Sequence, residues 1–126
     1  MNRLEYIPGD LVTYNGNIVT IENNDGYYAT YYDEDESLQE INVNVIKGIP
    51  LTPEILEKNG WEKDEEISFK TQLYYRKKSI SKFIVIIIRK DTLRIVYNNE
   101  CLNIIQYVHK LQHLLFGLDL NHEMEV

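Results

Sequence analysis

The chain carries 126 residues, 44% hydrophobic and 26% charged, with a formal net charge of −7; this is the mixture of a soluble globular protein and excludes an intrinsically disordered one. Cys101 is the single cysteine, so no internal disulfide can form, and a chain of this length buries roughly two thirds of its unfolded surface without one. The longest apolar run, FIVIII (83–88), falls far short of the roughly 20 residues a membrane helix requires, and the opening MNRLEYIPGD has no apolar h-region, so a cytoplasmic protein is expected.

The first half reads as short strands broken by tight turns. DLVTY (10–14) and NIVTI (17–21) flank Asn15-Gly16, the strongest short hairpin signal, because both turn residues must tolerate positive φ. ENNDG (22–26) repeats that chemistry before YYATYY (27–32), and the acids DEDE (33–36) turn the chain into LQEIN (38–42). Four short antiparallel strands closing at VNVIKGIP (43–50) predict a small SH3-like curled β-barrel over residues 1–49.

A helix follows. Thr52 suits its N-cap, Pro53 its first position and Glu54 the positive end of its dipole, while Asn59-Gly60 ends it and Trp61 plugs the junction. ISFKTQLYYRK (67–77) alternates with the period of a half-buried strand. KFIVIIIRK (82–90) does not alternate, which places it centrally and covered on both faces, and Asp91 returns it to TLRIVY (92–97) as a hairpin. In 102–120, Ile104, Val108, Leu111, Leu115 and Leu118 recur at steps of four and three, predicting one amphipathic helix across the three-stranded sheet. The expected fold class is therefore α+β: the barrel unit, then an α-β-β-β-α unit over residues 50–126 packed against it around a shared core.

GIPLTPEILEKNGWEK (48–63) and YVHKLQHLLFGLDLNHEMEV (107–126) resemble a group of small uncharacterised proteins from phages and prophage-like elements of gut anaerobes, which begin with a GDLVTYNGNIVTI-like segment and end in a similar helix and tail. The resemblance runs along the whole chain in order. It differs at His113, where the group tends to Asn, and at 119–124. It implies a fold and a mobile-element setting, in a bacterial host cell, and no particular activity.

DGYYATYYDEDE (25–36) is the first candidate site. On a strand, Tyr27 and Tyr31 face one way with Ala29, and Tyr28 and Tyr32 the other with Thr30. An outward Tyr28 and Tyr32 beside Asp33, Glu34, Asp35 and Glu36 suit a cation, as aromatic cages do, or a basic protein surface. The same residues equally describe an ordinary strand running into a solvated turn.

The second candidate follows from lopsided charge. Residues 1–69 hold 4 Lys/Arg against 15 Asp/Glu, and residues 70–94 hold 8 against 1. Arg76, Lys77, Lys78 and Lys82, close to Tyr74 and Tyr75, are the candidate nucleic-acid contacts, although the acidic first half opposes phosphate binding.

Catalytic chemistry has little support. His109 and His113 stand four apart, a spacing that metal sites use, but no acid lies between them and no further ligand is near, so no metal is expected. His109 is expected to bond neighbouring backbone from the helix edge, His113 to be solvated, and Cys101 to be a small buried filler. No nucleophile elbow, phosphate-binding loop or dinucleotide fingerprint occurs. The sequence predicts a non-enzymatic protein-interaction module without cofactor, metal or membrane, binding a protein partner through the acidic tyrosine face. The alternative is a nucleic-acid-binding accessory protein using 74–94. Oligomeric state stays open, with a dimer by strand pairing if 92–97 forms a bare edge.

Overall fold

The computed structural model describes residues 5–65, 72–77, 84–89, 92–98 and 100–126. In chain order its elements are β1 (Leu11–Tyr14), β2 (Asn17–Thr20), β3 (Asn23–Asn24), β4 (Tyr28–Tyr32), β5 (Leu38–Asn42), a 3-10 turn (Val43–Val45), β6 (Lys47–Gly48), α1 (Pro53–Lys58), β7 (Glu62–Lys63), β8 (Leu73–Arg76), β9 (Ile84–Arg89), β10 (Thr92–Tyr97), β11 (Glu100–Ile105) and α2 (Val108–Gly117). The fold is α+β with antiparallel sheets. It divides into two units: Met1–Pro50 with Tyr107–Glu123, and Leu51–Gln106 with Met124–Val126.

In the first unit, Asn15 and Gly16 take φ of 54° and 81° and join β1 to β2 with Tyr14 directly opposite Asn17, the mirror-image turn that Asn-Gly favours. β2-β1-β6 form one three-stranded sheet and β3-β4-β5 another. The chain changes sheet at two places. Ile21 N–H donates to Asp10 C=O in the first sheet, while the next residue, Glu22, donates to Thr30 C=O in the second. The 3-10 turn, capped by the Asn42 side chain accepting from Asn44 N–H, returns the chain from β5 to β6.

Cross-strand pairs Val12–Val19 and Ala29–Ile41 point inward, and with Tyr6, Ile21, Val43 and Ile46 they make one core shared by both sheets. Among the described residues the paired strands thus form two three-stranded sheets, and no closed barrel is found.

α2 belongs to this first unit and packs against β1, whereas the sequence placed it on the later sheet. Val108, Leu111, Gln112 and Leu115 form its buried face. The helix ends in a left-handed Asp119 (φ 58°), with Leu120 N–H donating to Leu115 C=O, so an aspartate fills the place glycine usually takes.

The helix is also shorter than expected, because 100–105 is strand. Asn98 (φ 53°) begins a two-residue connection that sets Tyr97 opposite Glu100, and β11 then pairs along β10, with Leu93 opposite Ile105. Ile104 and Ile105 satisfy the helical spacing, but as β-branched residues beside an available strand they bond to that strand instead. β10 consequently lies between β9 and β11 and is not the bare edge considered from sequence.

In the second unit, the Thr52 hydroxyl caps α1 by accepting from Ile55 N–H. Gly60 (φ 87°) ends it, Trp61 N–H donates to Leu56 C=O, and the Trp61 side chain is buried as expected. The sheet order is β11-β10-β9-β8-β7. Central β9 is covered less than its composition implies: Ile84, Ile86 and Ile88 are buried, while Val85 and Ile87 are only half-buried on the opposite face. The expected strand at 67–77 is described only over its last part, where Tyr75 is buried.

Candidate functional site

The β4–β5 register decides which tyrosines face solvent. Ala29 and Ile41 are buried opposite each other, so Tyr28, Thr30 and Tyr32 stand on the outer face with Asn42, Glu40 and Leu38 as cross-strand partners. Tyr28 is 46% exposed and Tyr32 57%. Tyr31 turns the other way and meets the Tyr14 ring at 6.2 Å.

The two outward tyrosines share a face without forming a cage. They stand four positions apart, roughly 14 Å along a strand, and no ring contact joins them among the described residues. Tyr27 lies just before the strand and is exposed as well.

The acidic run does two separate jobs. Asp33 holds the turn: one carboxylate oxygen accepts from Asp35 N–H and Ser37 N–H at 2.9 Å each, and the other accepts from the Gln39 amide at 2.9 Å. These bonds, led by that from Ser37, hold its carboxyl below the usual range. Among the described residues the side chains of Glu34, Asp35 and Glu36 make no comparable bonds, and all three are exposed.

Beside Tyr32 the turn closes over a cleft of about 390 Å³, lined by Ile18, Tyr31, Tyr32, Asp33, Glu34 and Asp35 among others. It pairs an aliphatic and aromatic wall with carboxylates, the surroundings that suit the stem and head of a lysine or arginine. Ile18, Leu38 and Glu40 were not among the residues predicted. Alternation in NIVTI carried the signal for Ile18, since Val19 pairs inward with Val12 and its neighbour must face out.

The basic candidates are less assembled. Arg76 ends β8 with its guanidinium 3.4 Å from Asp64, opposite Glu62, and Lys77 passes beside Gly60. Lys78 and Lys82 lie outside the described residues.

A buried polar cluster that the sequence did not signal joins the start of β1 to α2. Asp10, 1% exposed, accepts from Ile7 N–H at 2.9 Å and pairs with His113 Nε2 at 2.6 Å. His113 is therefore bonded to a carboxylate, not simply solvated. Gln112 is buried one residue before: its Oε1 accepts from Leu11 N–H, and its amide donates to Gly9 C=O and His122 C=O.

His109 is fully buried rather than at the helix edge, between the rings of Tyr6 (5.0 Å) and Tyr107 (5.7 Å), and among the described residues neither ring nitrogen has a hydrogen-bond partner, Glu5 lying 4.0 Å from Nε2. Burial pushes its imidazole below the ordinary value near 6.5, against the opposing pull of Asp10 and Glu5. Tyr6 is pushed up to about 12 by burial and the neighbouring Glu5 carboxylate. Burial alone would raise Glu5, but Lys110, 3.1 Å away, outweighs it and holds the carboxyl low.

Among the described residues no serine, threonine or cysteine bonds to either histidine of this cluster. Its consequence is for stability. The unfolded chain takes up the His109 proton near pH 6.5 while the folded chain resists it, so stability present above that pH is lost as pH falls below it. A urea midpoint lower at pH 5.5 than at pH 7.5, with the drop reduced in His109→Phe, is the expected result.

Cys101 is exposed in β11 opposite Val96, not a buried filler. Among the described residues no group of three or more His, Cys, Asp or Glu is placed to hold a metal ion, and no helix is long and apolar enough to cross a membrane. Comparison of the chain with family models, curated proteins and solved structures found no match.

Proposed function

We propose that this protein is a non-enzymatic interaction module that binds a basic protein surface through the outer face of β4–β5 and the adjoining acidic turn. The observation that carries this reading is the outward placement of Tyr28 and Tyr32 on the strand that runs into exposed Glu34, Asp35 and Glu36. Exposed tyrosine beside carboxylates, with a cleft at Tyr32, supplies a rigid aromatic wall and a negative rim, which together recognise Lys or Arg side chains on an apolar surround. Two sheets sharing one core, joined at the 21–22 corner and at a 3-10 turn, support an SH3-like reading of the first unit. The resemblance noted above supports a phage or mobile-element setting; the partner proposed for such a setting is a host or defence factor in the host-cell cytoplasm.

The test is titration of the protein with a Lys/Arg-rich peptide containing aliphatic residues, followed by fluorescence anisotropy. Tyr28→Ala with Tyr32→Ala should weaken binding about tenfold, and Glu34→Gln with Glu36→Gln should remove much of its salt dependence. Binding indifferent to the tyrosine pair would refute the reading. A band shift with single-stranded DNA or RNA, lost in Arg76→Glu with Lys77→Glu, would transfer the function to the basic segment.

A further inference from the structure

The second unit has an outer sheet face unlike an ordinary solvated one. Register sets Tyr74, Ile87, Arg94 and Ile104 in one row across β8, β9, β10 and β11. Ile104 is 52% exposed, Tyr74 and Ile87 are half-buried and Arg94 is exposed at the middle of the row. Val85 and Val96 pair beside it, and Arg89 pairs with Thr92 on the other side. Arg76 is paired with Asp64; among the described residues, Arg94 and Arg89 are further cations on this face, and Arg94 stands between Ile87 and Ile104.

The tyrosine face of the first unit has the opposite character. Glu40 lies mid-face opposite Thr30, flanked by Tyr28, Tyr32 and Leu38. Each sheet therefore presents a charged residue mid-face with apolar or aromatic side chains close by, Arg94 on one and Glu40 on the other, and the two differ in sign.

We propose that the Tyr74–Ile87–Arg94–Ile104 face of one molecule docks the Tyr28–Tyr32 face of another copy, with Arg94 set against Glu40. This rests on the reading that the tyrosine face binds basic protein surfaces, and it names a second copy as one such surface. Aliphatic side chains around Arg94 favour a protein over single-stranded nucleic acid, which takes stacked aromatics. The contact is heterologous, joining different patches on the two molecules, so it propagates head to tail. Strands about 4.8 Å apart make a four-strand row only about 14 Å wide, so the association is transient.

Sedimentation equilibrium of the full chain from micromolar to millimolar concentration tests this. The average mass should rise with concentration at low salt and return to the monomer at high salt. Arg94→Glu alone and Glu40→Arg alone should each weaken self-association about tenfold or more, and the double variant should recover it. Circular dichroism of each variant checks that these exposed substitutions leave the fold intact. A wild-type chain that stays monomeric at low salt throughout, or self-association that ignores both reversals, overturns the proposal. If the basic peptide still binds and still depends on Tyr28 and Tyr32, only the self-docking fails; if it does not, the reading of the tyrosine face fails as well.

Discussion

Gly48→Ala should lower unfolding free energy by about 3 kcal/mol, at the upper end of what overpacking a well-filled site costs. Gly48 sits in β6 with an ordinary negative φ, so the effect comes from space and not from backbone freedom. A Cβ built there lies 2.7 Å and 2.8 Å from Tyr107 ring carbons and 2.9 Å from the His109 imidazole. Tyr107 lies almost parallel to His109 (20° between planes), and His109 in turn meets Tyr6. To admit a methyl group, the stack must shift, and His109 is buried too deeply to move without displacing the start of α2.

Urea denaturation of wild type and variant measures the cost. A double-mutant cycle with Tyr107→Ala identifies its cause. Tyr107 is 38% exposed, so truncating it alone should be mild, and it should recover a large share of the Gly48→Ala penalty. Strict additivity of the two changes would mean that the ring contact is not the source.

Gln112→Leu should cost a similar amount, about 3 kcal/mol, although its volume and helix propensity are hardly changed. The wild-type amide bonds Leu11 N–H at 2.9 Å, Gly9 C=O at 2.9 Å and His122 C=O at 3.1 Å. Leucine makes none of these bonds and leaves up to three main-chain groups short of a partner, each worth about 1–3 kcal/mol where water cannot replace it.

Gln112→Glu distinguishes the loss of acceptor from the loss of donors. A carboxylate still accepts from Leu11 N–H, but it cannot donate to either carbonyl and brings a second negative charge to the helix turn next to the Asp10–His113 pair. It should therefore be destabilised as well, and more so at neutral pH than at acid pH, where protonation restores one donor. The Leu11 amide reports directly: its hydrogen exchange should accelerate strongly in Gln112→Leu and much less in Gln112→Glu. Equal acceleration in both would rule out the side-chain acceptor as its protection.

These two sites lie within a single assembly of Gly9, Asp10, Gly48, His109 and Gln112. Nothing in their local sequence marks it. His109 and Gln112 fall three apart on a helix whose face was legible from its leucines, yet Tyr6, which meets His109, and Leu11 and Gly9, which bond Gln112, are some hundred residues away. The spacing of His109 and His113 did indicate that they share a side of the helix; their rings meet edge to face at 5.7 Å. Only the fold decided that one would be sealed between tyrosines and the other bonded to a buried aspartate.

The candidate face divides in the same way. Alternation in YYATYY separated Tyr28 and Tyr32 from Tyr31, because a strand sends neighbouring side chains to opposite faces. Which set faced out depended on Ala29 and Ile41 meeting in a core with Val12 and Val19 from another sheet. The role of Asp33 as the anchor of its own turn was likewise hidden within a run of four acids.

What the sequence determined by itself is what short-range geometry controls: the Asn15-Gly16 hairpin, the Thr52 cap and Gly60 stop of α1, and the alternating strands. There, φ/ψ limits and one or two hydrogen bonds choose the conformation before any distant residue is involved. Tertiary structure decided the rest. Ile104 and Ile105 satisfied a helical period, yet 100–105 became a strand because β10 offered backbone partners along it, interrupted by one irregularity at Ile95/Val96, and α2 joined the first unit because its buried face and Gln112 fit β1. Where two local conformations lie within a few kcal/mol, burial and long-range hydrogen bonding select between them, and neither can be read from neighbours in the chain.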